Sequence, residues 1–131
     1  MKTAELQIAT SLRSELVAVT RQVEELLRTE GWRDGVLTLF VPHTTAGITV
    51  NEQADPDVAS DMARFLDQLI PDQGWFRHGE GNSDAHIKAT LVGASLQVIV
   101  REGRLWLGTW QGLWFAEFDG PRRRTLRLAF Q

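Results

Sequence analysis

A chain of 131 residues, 43% hydrophobic and 24% charged, has the composition of one ordinary soluble globular domain with room for a hydrophobic core. It has no cysteine, which excludes disulfides, thiolate metal sites and a cysteine nucleophile, and its net charge of −3 argues against a general nucleic-acid binder. No run approaches the roughly 20 apolar residues of a bilayer span, and the first residues carry no signal-peptide pattern, so the expected setting is cytoplasmic and away from membranes.

In chain order, "AELQIAT" alternates as an opening strand, and "SELVAV" reads as a second. Thr20 is placed to cap a helix with Val19, Val23, Leu26 and Leu27 on one face, closed by Gly31. "GVLTLFVP" is apolar and β-branched, a buried strand that delivers His43, and "AGITV" is a further strand leading to Asn51 and Glu52. Asp55-Pro56 is a helix start, an N-cap followed by proline at the first helical position. Val58, Met62, Phe65, Leu66 and Leu69 then form one apolar stripe up to Pro71.

A glycine-rich polar loop follows, and "DAHIKATL" predicts a short helix capped by Ser83 or Asp84. The remainder reads as strands: "ASLQVIV", a turn at Glu102-Gly103, "RLWLG", "QGLWFAEF", a turn at Asp119-Gly120-Pro121, and "RTLRLAF". In the last of these Leu126, Leu128 and Phe130 alternate with Arg127 and Ala129, so one side covers a core. With no repeat, low-complexity tract or linker, the expectation is a single domain over residues 1–131. Its fold class is α+β, a largely antiparallel β-sheet system with two main helices and one short helix.

The histidines stand apart from this pattern. His43, His78 and His86 each fall at a loop or element end, where functional groups concentrate. Neutral imidazole is a common metal ligand, and three suffice for a zinc-type site with an open fourth position. Glu52, Asp55, Glu80 and Asp84 are the nearby acids, able to complete a shell, orient an imidazole or act as general acid or base. Asp55 is a helix cap first, and Asn51 and Glu52, adjacent on a strand end, point to opposite faces.

Gly79 and Gly81 in "HGEGNSDAH" let backbone N–H groups approach a ligand, an arrangement that suits phosphate oxygens. Lys88 and the cluster Arg122, Arg123 and Arg124 add positive charge, although a solvated edge-strand guard is the simpler role for two of those three arginines. In "LGTWQGLWFAEFDG" most rings belong to a core or an interface, whereas Gln111 and Glu117 are polar groups that need named partners.

"VPHTTAGITVNEQADPDV", "RHGEGNSDAHIKATLVG" and "LGTWQGLWFAEFDGPRRR" closely resemble, in order and spacing, the three signature blocks of the YjbQ family. The resemblance runs from the opening strand to the last residues. It implies an α+β fold assembling as a homotrimer, with a secondary thiamine-phosphate synthase activity that joins a hydroxymethylpyrimidine diphosphate to a thiazole phosphate. The family's polar signature falls here on His43, Thr44, Asn51, Glu52, Asp55, His78, Glu80, Asn82, Asp84, His86, Lys88, Trp110, Gln111, Glu117 and Asp119.

The expectation is therefore an enzyme acting on a phosphorylated small molecule. His43, His78 and His86 would hold a divalent metal or bind phosphate directly. Glu52, Glu80, Asp84 and Lys88 are the expected catalytic groups, and Thr44, Asn51, Asn82, Trp110, Gln111 and Arg122 the expected substrate contacts. Three imidazoles favour zinc, manganese or nickel over magnesium, which prefers oxygen ligands. The rival expectations are a metal-dependent hydrolase of a small substrate and a ligand- or metal-binding trimer without turnover.

Overall fold

The computed structural model describes residues 1–131, which form eight strands and three helices. In chain order these are β1 (Lys2–Ala9), β2 (Glu15–Ala18), α1 (Thr20–Glu30), β3 (Gly35–Phe40), β4 (Ala46–Glu52), α2 (Pro56–Leu69), α3 (Ser83–Val92), β5 (Ser95–Arg101), β6 (Arg104–Leu105), β7 (Gln111–Glu117) and β8 (Arg123–Phe130). Five strands make one antiparallel sheet in the order β1-β8-β3-β5-β6, and three make a second in the order β2-β7-β4. The α+β expectation is met.

Hydrophobic pattern explains the layering. On β8 the alternation buries Leu126, Leu128 and Phe130, which join Leu37, Leu39, Val98 and Val100 of the same sheet in the main core. Leu113 and Phe115 of β7 and Ile48 of β4 meet them from the second sheet. The intervening β7 residues Trp114 and Ala116 are buried as well, because the other side of this strand is also covered: Ala116 and Phe118 pack on Ala85 and Ala89 of α3, with Leu66 of α2 alongside. A strand covered on both faces shows no alternation, which is why "GLWFA" reads as a continuous apolar run. The order of layers is five-stranded sheet, three-stranded sheet, then α2 and α3.

The outward face of the larger sheet has no such cover. Val36 and Ile99 oppose each other across β3 and β5, and with Phe40 and Trp106 they remain 40–59% exposed.

Local signals hold at two helix ends. Asp55 caps α2 by accepting from Asp57 N–H, with Pro56 at the first position. Gly31 closes α1 in the left-handed region at φ 69°, where its missing Cβ avoids the usual clash. Thr20 differs from expectation. It is the first residue of α1 rather than its cap, because its hydroxyl is drawn to Gln53 Oε1 and to Leu113 N–H instead. The α2 stripe also differs: Phe65 and Leu69 are 61% and 57% exposed, since α2 touches the body mainly through β2 and its one buried residue is Ala59. "RLWLG" supplies only the two-residue β6.

One close approach matters for the site. Ile48 N–H donates to Gly93 O at 3.0 Å, joining β4 to the end of α3. A Cβ on Gly47 would lie 2.7 Å from that same carbonyl oxygen, so only glycine lets the two backbones meet.

Candidate functional site

Helix α3 presents His86, Ala89, Thr90 and Gly93 at the spacing of a single helical face. Across from them the segment that links β3 to β4 presents His43 and Thr44, β4 begins with Ala46, and the two walls enclose an open groove of about 430 Å³. His78, from the loop before α3, stands edge-on to His86 with ring centroids 5.4 Å apart. Thus His43 and His86 line one groove, and His78 adjoins it through His86.

His43 is fixed by the sheet. The β3–β8 pairing stops at Phe40 and Arg127, so Thr125 lies beyond the reach of β3 and its N–H lacks a strand partner on that side. His43 Nε2 accepts that N–H at 2.9 Å. Burial and then the nearby Arg124 guanidinium hold the imidazole below its ordinary pKa, which keeps it neutral near pH 7.

Behind the groove the carboxylates are all engaged. Glu117 and Arg124, both buried, pair through two bonds between the sheets, with Arg124 Nε to Glu117 Oε2 at 2.8 Å. Arg124 also donates to Thr45 Oγ1 at 2.8 Å, and the Thr10 hydroxyl donates to Glu117 Oε2 at 2.9 Å. Burial alone would raise the Glu117 pKa, but the hydrogen bonds from Arg124, Asp119 N–H and Thr10 outweigh it and hold the carboxyl below its usual range. Asp119 accepts from Asn82 Nδ2 at 2.7 Å and from Arg122 Nη2 at 3.2 Å. Arg124 is therefore no solvated guard: β8 is an interior strand, flanked by β1 and β3, and its inward side at Arg124 faces Glu117.

Asp84 and Lys88, expected as catalytic groups, are held in a buried ion-pair network. Arg13, between β1 and β2, holds Asp84 in a two-pronged pair at 3.1 and 3.2 Å. Lys88 Nζ reaches Asp84 at 3.3 Å and Asp67 of α2 at 2.6 Å, while Ser14 also bonds Asp67. Lys88 is 1% exposed, so its ammonium is sealed into a network that ties α3 to α2 and to the β1–β2 connection. Burial works to raise the Asp84 pKa, yet Arg13 and Lys88 bring it below the usual value. Its caps also differ from expectation: Asn82, not Ser83 or Asp84, precedes the helix, and the amides of Ser83 and Asp84 donate to nothing in the chain.

The remaining expected residues lie elsewhere. In the β4–β7 ladder Ala46 pairs with Glu117 at one end and Glu52 with Gln111 at the other. Six steps of about 3.3 Å separate these ends by about 20 Å, so Asn51, Glu52, Trp110 and Gln111 are not brought to the His43–His86 groove within one chain. Trp110 is 63% exposed, and Gln111 accepts from Gly108 N–H. Glu80 is exposed beside His78, with Nε2 and Oε2 3.9 Å apart.

The three histidines do not form the expected metal centre in the chain. No group of three or more histidine, aspartate or glutamate side chains is gathered closely enough to hold an ion, and His43 Nε2 is already committed to Thr125. Sequence reasoning missed Arg13 and Thr125. Arg13 carries no motif, and a backbone N–H has no sequence signature. A larger groove of about 630 Å³ lies between α1 and the β5–β6 turn, but its arginines face glutamates, among them Arg104 with Glu24 and Arg28 with Glu25, leaving little unbalanced charge. No helix is long and apolar enough to cross a membrane.

Comparison with known proteins places this architecture. The chain belongs to the UPF0047 protein YjbQ-like family, whose model matches residues 4–131. It is 54% identical over 121 residues to UPF0047 protein YugU of Bacillus subtilis, covering 92% of each chain, and 54% identical over 118 residues to UPF0047 protein MJ1081 of Methanocaldococcus jannaschii, covering 90% of this chain and 86% of that one. A crystal structure of a YjbQ/UPF0047 family protein from Clostridium acetobutylicum superposes with a TM-score of 0.92 at 47% identity, covering 98% and 99% of the two chains.

Proposed function

We propose that the His43–His86 groove binds the phosphate end of a small phosphorylated substrate, and that the chain is a transferase of the thiamine-phosphate synthase type. One observation carries this reading. In the groove the Thr44 hydroxyl, the His86 ring and His43 Nδ1 have no partner in the chain, although Thr90 bonds His86 O, whereas Glu117, Asp119 and Asp84 behind it are each held by an arginine. A site whose own carboxylates are neutralised and whose donors are free favours an anion. The unpartnered amides of Ser83 and Asp84, one turn before His86, favour the same ligand.

In the proposed reaction the thiazole nitrogen attacks the pyrimidine methylene carbon. The carbon–oxygen bond to pyrophosphate breaks, and the departing oxygen keeps the electron pair. No protein nucleophile is required. The chain's part is to orient the two substrates and to stabilise charge on the leaving group through donors from His43 and His86. The residues gathered in one chain do not fit a three-histidine metal, and no step is assigned to one.

We also propose a homotrimer as the working assembly. Its support is the uncovered sheet face bearing Val36, Phe40, Ile99 and Trp106, an apolar surface that association would remove from water. Sedimentation of the purified chain checks it, and a monomer at every concentration refutes it.

Incubation with hydroxymethylpyrimidine diphosphate and thiazole phosphate tests the activity. Thiamine phosphate and pyrophosphate should appear together, and only when both substrates are present. Phosphate release without the thiazole would identify a hydrolase instead. Saturable phosphate binding without any product would identify a binding protein, and no phosphate binding at all would remove the groove from consideration.

A further inference from the structure

We infer that His43 is locked as its Nδ1–H tautomer by Thr125 N–H and serves the groove as a hydrogen-bond donor to a ligand oxygen, not as a metal ligand. The donor role rests on the phosphate reading above, whereas the tautomer rests on the fold alone.

A neutral imidazole carries one proton, so one nitrogen accepts and the other donates. Which is which depends on the bond the other nitrogen makes. Thr125 N–H can only donate, and it lies 2.9 Å from His43 Nε2, so Nε2 must present its lone pair there. The proton therefore sits on Nδ1. Rotating the ring by a half-turn would set a carbon against Thr125 N–H and leave that amide unsatisfied, so the orientation is fixed together with the tautomer.

Thr125 N–H donates to no other group in the chain. Pairing of β8 with β3 has ended at Arg127, and the chain turns away through Val41 and Pro42 toward β4. His43 thus fills the place that the next strand carbonyl would have occupied. This is a strong constraint, because breaking it strands an amide at the end of an interior strand.

The other ring edge is available. Nδ1 has no hydrogen-bond partner in the chain and is not among its buried unsatisfied atoms, and His43 lines the groove opposite His86. The two nitrogens of an imidazole point in divergent directions, so Nδ1–H is turned away from the sheet. A metal at Nδ1 would need the proton to move to Nε2, where it would meet Thr125 N–H head-on. An acceptor oxygen at Nδ1 needs no such change. A phosphate oxygen meets that requirement.

The test is long-range proton–nitrogen correlation spectroscopy of the full chain with isotope-labelled histidine, at mildly alkaline pH. The His78→Gln and His86→Gln variants assign the rings and leave His43 in place. His43 should appear as the Nδ1–H tautomer with no ligand present, and an Nε2–H signal overturns the inference outright. Adding inorganic phosphate should shift the Nδ1–H resonance while the tautomer persists. Phosphate that shifts His86 and the Ser83 and Asp84 amides but leaves Nδ1–H unmoved would make His43 a strand cap only, overturning the donor role while the phosphate reading stands. Phosphate that shifts none of them defeats that reading and the donor role with it, but not the tautomer. Zinc should leave both His43 nitrogens unshifted, and a metal-bound signature at either one would also overturn the inference. His43→Leu should weaken phosphate binding by about tenfold or more, and His43→Gln, which keeps an acceptor and a donor, by less.

Discussion

The two ends of the β4–β7 ladder treat polar side chains in opposite ways. At the Ala46–Glu117 end Glu117, Arg124, Thr45 and Thr10 are all buried and joined in one hydrogen-bonded chain. At the Glu52–Gln111 end Trp110 and Gln111 are exposed, and the Gln111 side chain bonds only the nearby Gly108 N–H. The difference follows from position. The first end lies between two sheets, where a polar group without a partner costs more than its bond returns. The second projects past the layers. The buried end is a rigid frame for the groove, and the exposed end leaves its side chains adaptable.

The largest effect should come from breaking the frame. Arg124→Met leaves the Glu117 carboxylate buried without its cation and should cost about 3–5 kcal/mol in urea denaturation, whereas pairing it with Glu117→Leu should recover much of that loss. A cost below about 1 kcal/mol would show that the contrast between the ends is not energetic. The pH dependence follows from the same pair. The Glu117 carboxyl is held below its usual range when folded, so the folded chain takes up its proton less readily than the unfolded one. Its contribution is present above the ordinary carboxylate pKa and lost as pH falls through the lower folded value. His43, depressed by burial and then by Arg124, has the same sign and begins its loss below the ordinary imidazole value. Acid should therefore destabilise the native chain, and the acid dependence should shrink in Arg124→Met. A steeper dependence in the variant would contradict the assignment.

Next in size is Lys88→Met. It removes the link between Asp84 and Asp67 but leaves Arg13 on Asp84, and about 2 kcal/mol of stability should go, read by the same denaturation. An unchanged midpoint would return Lys88 to the list of groups free for chemistry. His86→Ala should weaken inorganic phosphate binding about tenfold, which is about 1.4 kcal/mol, as calorimetry would report. Unaltered affinity would move the ligand out of the groove. Smallest of all, Trp110→Ala at the open end should change stability by less than about 0.5 kcal/mol and leave phosphate affinity as it was. A clear fall in affinity would mean that the two ends meet in the working assembly.

Much of the fold was legible because the strands declare themselves. Leu126, Leu128 and Phe130 alternate, Asp55-Pro56 opens a helix, and Gly31 closes one. The site was legible in part. The sequence marks His43 and His86 as unusual, and Glu117, polar at the end of a run buried on both faces, as a group in need of a partner. What it hides is register and distance. Which of Arg122, Arg123 and Arg124 is not a solvated guard shows only once β8 is seen between β1 and β3, and Arg13 reaches Asp84 from 71 residues away. Asn51, Glu52, Trp110 and Gln111 read as one cluster with the histidines, but strand length sets them about 20 Å off. The α2 stripe looks like core because amphipathic spacing says which residues share a face and not what that face meets.

The approach of Gly47 to Gly93 sets the bore of the groove. His43 is pinned to one sheet and His86 rides on a helix whose capping residue Gly93 is held through its carbonyl by β4, so the span between the two imidazoles is governed by how near that helix can lie. A single methyl at Gly47 would wedge the helix outward at its far end and pivot His86 away from His43. The jaw of this site is gauged by an absent side chain, about two helical turns from the His86 it keeps in step with His43.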